Sequence, residues 1–282
     1  MISLPIRVYC GFAQSALSAL LVLGFATPAH AQYKPRPIDN PAIGEDFHIE
    51  GGVSFWNPTS DISVASSGSG ALAALVGTTI DAKQDLGFVD QRLPEFQVML
   101  RPAPAHKLRF QYIPINYDAS SVLNRTIVFN GQRYQVGLPV NSTLEWKAYR
   151  FGYEFDFIRR SQGFVGFIAE AKYTDVQVSL TSPVASEFVQ ARAPIPALGG
   201  IGRYYFVPNV AITGELTLFK LPTIQDRYAG HYVDLDIYGT FNLQKNVGLQ
   251  AGYRALDMGY LVKQDTGSFV LKGVYFGVIA RY

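Results

Sequence analysis

Aromatic side chains occupy every second position between Lys147 and Arg159, where the chain reads KAYRFGYEFDFIR. In an extended strand, successive side chains point to opposite faces of the sheet. One face would therefore carry the rings of Tyr149, Phe151, Tyr153, Phe155 and Phe157. The opposite face would carry Arg150, Gly152, Glu154 and Asp156. Rings on one face and charges on the other are typical of a strand with lipid outside and a lumen inside.

The same alternation recurs along the chain, in the segments 46–57, 94–101, 106–118, 142–158, 162–180, 194–206, 209–221, 230–242, 246–262 and 267–282. Short connections alternate with long ones, as expected for short periplasmic turns and longer outer loops. We therefore predict an all-β fold, an antiparallel up-and-down transmembrane β-barrel of about 10 strands. Eight or twelve strands stay open as alternatives, because 77–88 could be a loop hairpin or part of the wall.

Three ranges divide the chain. Residues 1–31 have the positive, apolar and small-x-small regions of a secretory signal peptide, ending at Ala29-His30-Ala31. The proline-containing stretch 32–45 is interpreted as a flexible periplasmic lead-in, and 46–282 as the barrel, with long outer loops near 58–93 and 119–141. Within the second loop, Asn130-Gly131 predicts a tight hairpin. Its arms are too short to cross a bilayer, so we expect it to stand above the membrane.

Composition narrows the function classes. Charged residues make up 16% of the chain and aromatic residues 13%, and the formal net charge is +2, which suggests no nucleic-acid partner. The only cysteine, Cys10, lies in the predicted signal peptide, so neither a disulfide framework nor thiol chemistry is expected. No metal-ligand spacing and no nucleotide-binding fingerprint is recognised, so we expect no metal and no cofactor.

The alternation also divides side chains between the two faces of the wall. It places Phe47 and the rings listed above toward lipid, and His48 toward the lumen. A lumen charge network is predicted from Glu50, Arg109, Arg150, Glu154, Asp156, Glu170, Lys172, Glu215, Asp234, Asp236 and Arg254. The interior of so small a barrel is barely wider than its side chains, which favours a hydrogen-bonded plug. The alternative is a narrow charged pore.

Few residues in the chain could support an enzymatic function. The outer-membrane proteases of the omptin type pair two acidic residues with an Asp–His pair, for which Asp81, Asp85, His231 and Asp234 are the candidates. However, His231 and Asp234 are three positions apart, so a strand would point them to opposite faces. A hydrolase with a Ser–His pair also lacks support, because no serine lies near His231 on its strand.

The C-terminal strand alternates Val274, Phe276, Val278, Ala280 and Tyr282. This pattern resembles the last strand of bacterial outer-membrane barrels, in which Phe276, Val278 and Tyr282 would form the signal for the barrel-assembly machinery. The chain as a whole resembles the small barrels typified by OmpA and OmpX. The pattern Gly77-Thr78-Thr79-Ile80-Asp81 followed by Asp85-Leu86-Gly87-Phe88 is similar to that of an uncharacterised group of proteobacterial outer-membrane barrels.

The resemblance implies an integral protein of the bacterial outer membrane, in contact with lipid and lipopolysaccharide. We expect a non-enzymatic role, structural or in surface interaction, with the outer loops meeting an extracellular ligand of unknown identity. One alternative is a narrow channel for small hydrophilic solutes. The other is an outer-membrane hydrolase, either a protease or a lipid-A-modifying enzyme.

Overall fold

The computed structural model describes residues 42–67 and 77–282, so the predicted signal peptide and the first part of the lead-in lie outside the described residues. Ten long strands dominate this part of the chain. They are β1 Ile49–Ala65, β3 Leu93–Ala103, β4 His106–Val122, β7 Pro139–Arg160, β8 Gly163–Thr181, β9 Ser186–Val207, β10 Val210–Ile224, β11 Tyr228–Asn242, β12 Val247–Val262 and β13 Asp265–Arg281. Three short strands lie in loops, namely β2 Ile80–Asp81, β5 Ile127–Phe129 and β6 Gln132–Tyr134.

The ten long strands form one antiparallel ring. Each pairs with the next in sequence, and β13 pairs with β1 from Glu50↔Arg281 to Ala65↔Thr266, which closes the sheet. The predicted ten-stranded barrel is confirmed. The segment 77–88 contributes only β2, which pairs with β1, so it is not part of the wall. Over the ranges 42–67 and 77–282, there is no helix long and apolar enough to span a membrane.

An apolar belt surrounds the lower part of the barrel, the end at which the tight turns lie. Its rings and branched side chains stand exposed on the outside, as Phe151, Phe167 and Tyr253 illustrate. The charged side chains between them turn inward, and Arg150 and Arg254 are both buried. The parity of the strands therefore separates apolar from ionic groups, as the alternation predicts.

The strands extend well beyond this belt. We predicted outer loops over 58–93 and 119–141, but β1 continues to Ala65, β4 continues to Val122, and β7 begins at Pro139. The reason is a change of polarity across the wall. On β1 the inward side chains Ile62 and Val64 are buried, while Asp61 is exposed. The upper wall thus encloses an apolar interior and presents polar groups outside. In the sequence, a strand with polar outward residues resembles a loop because it lacks the alternating rings of a lipid-facing strand.

The start of the barrel corrects two other predictions. Phe47 is buried and His48 exposed, the reverse of the prediction, because strand parity applies only from Ile49 onward. Residues 42–48, which include the end of the predicted flexible lead-in, cross the lower mouth. The Ile43 amide donates to Pro208 O at 2.7 Å, and the Phe47 ring lies 5.5 Å from the guanidinium carbon of Arg101.

The Asn130-Gly131 hairpin forms, with positive φ at both turn residues (49° and 79°). Its position differs from the prediction. Ile127, Phe129 and Tyr134 are almost completely buried, so the hairpin packs into the outer mouth and does not stand clear of the barrel. Its arms are apolar on the face that meets the interior, and burying that face is more favourable than exposing it to water.

Candidate functional site: the barrel interior and its two closures

The lower interior contains a continuous ionic network. Nine predicted network residues join it through ion pairs, namely Arg109, Arg150, Glu154, Asp156, Glu170, Lys172, Glu215, Asp234 and Arg254. Their strands run around most of the barrel, so side chains from opposite walls meet in the middle. Buried charges are stable in such a place only when they are paired and hydrogen-bonded.

Glu215 of β10 is central to the network. One of its carboxylate oxygens lies 2.6 Å from Arg109 Nη2, and the other lies 2.6 Å from Arg150 Nη2. Arg150 Nε in turn lies 2.6 Å from Glu170 Oε1 on the neighbouring strand. Two guanidinium groups from β4 and β7 therefore hold one carboxylate from the far side of the barrel, which fixes the two walls at a set separation.

Asp234 of β11 forms a second centre. Arg254 donates to it from Nε at 3.0 Å and from Nη2 at 2.8 Å, the paired geometry that makes arginine–carboxylate contacts strong. Lys172 Nζ approaches Asp234 at 3.0 Å, and Arg254 Nη1 reaches Glu95 at 3.0 Å. Asp236 lies beside this centre and accepts a hydrogen bond from the Tyr275 hydroxyl at 3.1 Å.

Lys107 closes the network toward the lower mouth. Its ammonium group lies 2.6 Å from Glu154 and 2.9 Å from Asp156, and 3.7 Å from the centre of the Phe164 ring. The network prediction lacks Gln111, which accepts from Arg150 and donates to Glu95. Gln111 shares the parity of Lys107 on β4, so alternation alone could have identified it as an inward residue.

A separate cluster lies at the lower mouth. Glu50, predicted as part of the main network, instead bonds Arg281 Nε at 2.5 Å. Glu45 accepts from Arg203 at 2.7 Å and from the Tyr205 hydroxyl at 2.6 Å. Burial alone would raise the pKa of Glu45, but the charge of Arg203 and these hydrogen bonds lower it to about 2. The carboxylate therefore stays ionised and holds the crossing segment in place.

The upper interior is apolar. Strands and loops together bury a cluster that includes Trp56, Ile115, Trp146, Leu180 and Phe269. The first outer loop is fastened to the second by Arg125, which donates to both carboxylate oxygens of Asp85, at 2.7 and 2.6 Å. Tyr134 of the hairpin donates to Leu180 O at 3.1 Å. The outer mouth is thus covered by its own loops.

The junction of the two halves contains a small cavity. A cavity of about 20 Å³ lies where Arg150, Lys172 and Arg254 meet Ile115 and Leu256, which is room for about one water molecule. A larger cavity of about 340 Å³ opens at the lower mouth, beside Glu45, Arg101 and the turn at Arg159 and Arg160. Packed side chains and ion pairs therefore occupy the interior along its length.

The four protease candidates are not brought together. Asp234 is engaged in the interior network, whereas His231 is exposed on the outside, 3.1 Å from Asp257. Asp85 is paired with Arg125 in the first loop, and Asp81 accepts from the amides of Lys83 and Gln84 in a local turn. In the ranges 42–67 and 77–282, no group of three or more His, Cys, Asp or Glu residues is arranged to hold a metal ion.

The predicted assembly residues lie on the outer surface of the closing strand. Phe276 is 59% exposed, Val278 51% and Tyr282 85%. Tyr282 follows the end of β13, and its carbonyl oxygen accepts from the amides of His48 and Ile49. The three side chains therefore project outward along the lower end of the seam between β13 and β1.

These features define a class of protein, the transmembrane β-barrel of outer-membrane type. The structure is similar to that of the outer-membrane protease OmpT from Escherichia coli, with a TM-score of 0.56 and 7% identity over 87% of this chain and 100% of that one. It also matches Ail, the attachment invasion locus protein of Yersinia pestis, with a TM-score of 0.36 and 8% identity over 82% of this chain and 99% of that one. No protein-family model and no curated protein matches the chain. At these identities the likeness shows the fold alone.

Proposed function

We propose that the protein is a closed barrel of the Gram-negative outer membrane, with a structural or surface-interaction role and no catalytic activity. One observation carries this proposal: the interior is filled by ionic side chains below and by apolar side chains and loops above. A filled lumen favours a plug over the narrow-pore alternative. The dispersal of His231, Asp234, Asp81 and Asp85 removes the arrangement that the protease alternative requires.

The interacting surface would be the outer rim. Several apolar side chains stand exposed there on loops or strand ends, including Val89 (64%), Val136 (59%) and Val184 (73%). Exposed apolar groups rimmed by polar ones mark contact sites in many proteins. Below the rim, the apolar belt would meet membrane lipid, and the polar upper wall would meet lipopolysaccharide. Phe276, Val278 and Tyr282 would guide insertion by the barrel-assembly machinery.

Single-channel recording in planar lipid bilayers tests the closed lumen. We expect refolded protein, verified by its heat-modifiable migration on SDS gels, to give no steady openings. A matched variant, Arg150→Ala/Glu215→Ala, removes one cation and one carboxylate from the middle of the interior without changing the net charge. Steady openings of the unmodified protein whose conductance changes in this variant would show that ions pass through the lumen, and the proposal would be wrong.

A further inference from the structure

The wall of the barrel is incomplete between β9 and β10. These strands pair from Val210↔Val207 only as far as Leu218↔Leu198. Above that point β9 continues along β8 up to Ser186, and β10 continues along β11 up to Ile224. Within the described residues, no strand pairing joins the facing edges 186–197 and 219–224. We call this interval the slit.

Three prolines explain why pairing stops. The Tyr205 amide donates to Gln162 O on the β8 side, so odd-numbered residues of β9 direct their N–H groups toward β8. Even-numbered residues therefore face β10, and these include Pro194 and Pro196. If the register of Leu218↔Leu198 continued, Pro194 would stand opposite Pro222, and neither would have an N–H to donate. The sequence thus ends the ladder at this height.

Apolar side chains line the slit from inside. Val189 and Ile195 on β9 and Phe219 on β10 are only partly buried, and all three pack against the apolar interior. At the foot of the slit, Leu198 (59% exposed) and Leu218 (48%) stand on the outer surface. The slit therefore connects the outer apolar belt with the apolar upper interior.

The height of the slit matches the upper border of the belt. Pro194 pairs with Tyr173, which belongs to a row of outward rings with Tyr149 and Tyr112. Tyrosine rings of this kind gather where hydrocarbon meets the headgroups. Toward the top, Asn130 of the loop hairpin donates to Phe188 O at 3.4 Å, which limits the slit on that side. The foot thus lies at the level of the outer leaflet.

We propose that the slit is a lateral opening that binds the acyl chain of a membrane lipid against the apolar side chains that line it. An acyl chain is the favoured occupant because Leu198 and Leu218, at the foot of the slit, are continuous with the lipid-facing belt. A partner β-strand is disfavoured, because prolines and the exposed side chains of Arg192 and Lys220 protect the open edges against strand addition.

Fluorescence quenching by brominated lipid tests the opening. The sole cysteine is Cys10, so single cysteines introduced into the barrel of a Cys10→Ser chain can be labelled uniquely with bimane. We expect dibrominated phosphatidylcholine to quench label at Phe219→Cys nearly as strongly as label at the lipid-facing Leu218→Cys. Ala148→Cys is the control, since it faces the interior at the same height on a strand paired on both sides, and its label should be spared.

Label at Phe219→Cys that is spared as fully as label at Ala148→Cys would overturn the proposal, and so would equal quenching of both. The triple variant Pro194→Val/Pro196→Val/Pro222→Val should let the ladder of hydrogen bonds extend. Quenching of the label at position 219 should then be lost, while quenching at position 218 should stay unchanged. Unchanged quenching at 219 would show that the prolines do not hold the slit open. Where the triple variant does not fold, Pro222→Val alone should give a smaller loss in the same direction.

Discussion

The lower and upper halves of this barrel use opposite arrangements of the same strands. On β8, Glu170 and Lys172 point inward in the lower half while Phe167 points outward. Farther up the same strand, Val178 and Leu180 point inward while Gln177 points outward. The period of two is unbroken; only the polarity of the two faces is exchanged. The solvent outside each half therefore decides which side chains the interior can hold.

The difference shows two ways to fill a narrow cylinder. Below, the outside is apolar, as a wall facing lipid requires, so ionic groups lie within and neutralise one another. Above, the outside is polar, so the wall behaves like a soluble sheet that buries apolar groups on its other face. The ionic half gains its rigidity from paired charges between distant strands, and the apolar half gains it from loops that fold inward.

The largest expected effect comes from breaking the ionic half. Arg254→Ala would remove the cation that pairs with Glu95 and would leave Asp234 with Lys172 as its nearest cation, and breaking buried ion pairs of this kind costs about 3–5 kcal/mol. Urea unfolding in lipid vesicles would measure this loss of stability. The control is Lys83→Ala, which removes an exposed loop ion pair with Asp90 and should cost roughly 0–1 kcal/mol. Similar small losses for both variants would show that the network contributes little to stability.

The next effect comes from the apolar half. Leu180 is completely buried beside the hairpin, so Leu180→Ala should leave a cavity and lower the free energy of unfolding by about 2–5 kcal/mol. Gln177→Ala on the outer face of the same strand should change it by about 0.5 kcal/mol or less. Both are measured in the same urea titration. A larger loss at position 177 than at 180 would mean that the two faces of the upper strand have been assigned the wrong way round.

Strand parity was sufficient to predict the ring of strands and the lower interior. Arg150, Glu215 and Asp234 lie on strands far apart in sequence, and each turns inward because lipid excludes charge. The upper ends of β1, β4 and β9 lie outside the predicted segments, because most outward residues there are not rings; on β1 the predicted segment ends at Asn57 and the strand continues to Ala65. Phe47 and His48 were assigned incorrectly since parity says nothing about a segment that crosses the mouth.

The pairing of particular charges could not be predicted in the same way. Alternation places Glu50 inside, but the height of each strand in the barrel decides that it meets Arg281 and not Arg254. That height depends on the stagger between neighbouring strands, which a single sequence does not contain. The slit illustrates a second feature that the sequence alone does not predict. Its three prolines are visible in the sequence, yet their effect depends on the register of β9 against β10, which would place Pro194 opposite Pro222.

The smallest expected effect concerns the link between the two outer loops. Hydrogen bonds from Arg125 hold the pKa of Asp85 below its ordinary value of 3.8. A depressed pKa means that the link stabilises the closure fully above that value and is lost as the pH falls through the lower folded value. Because Arg125 is 44% exposed, Arg125→Gln should weaken the closure by roughly 0.5–1 kcal/mol at pH 7.

Hydrogen exchange of the amides over 78–88 would report this as faster exchange in the variant. The difference between variant and parent should shrink as the pH falls progressively below 3.8, once exchange rates are corrected for their intrinsic pH dependence, since protonated Asp85 no longer attracts Arg125. A difference that stays constant over this range would mean that Arg125 acts through packing or through its bond to Thr79 O, and not through the charge of Asp85.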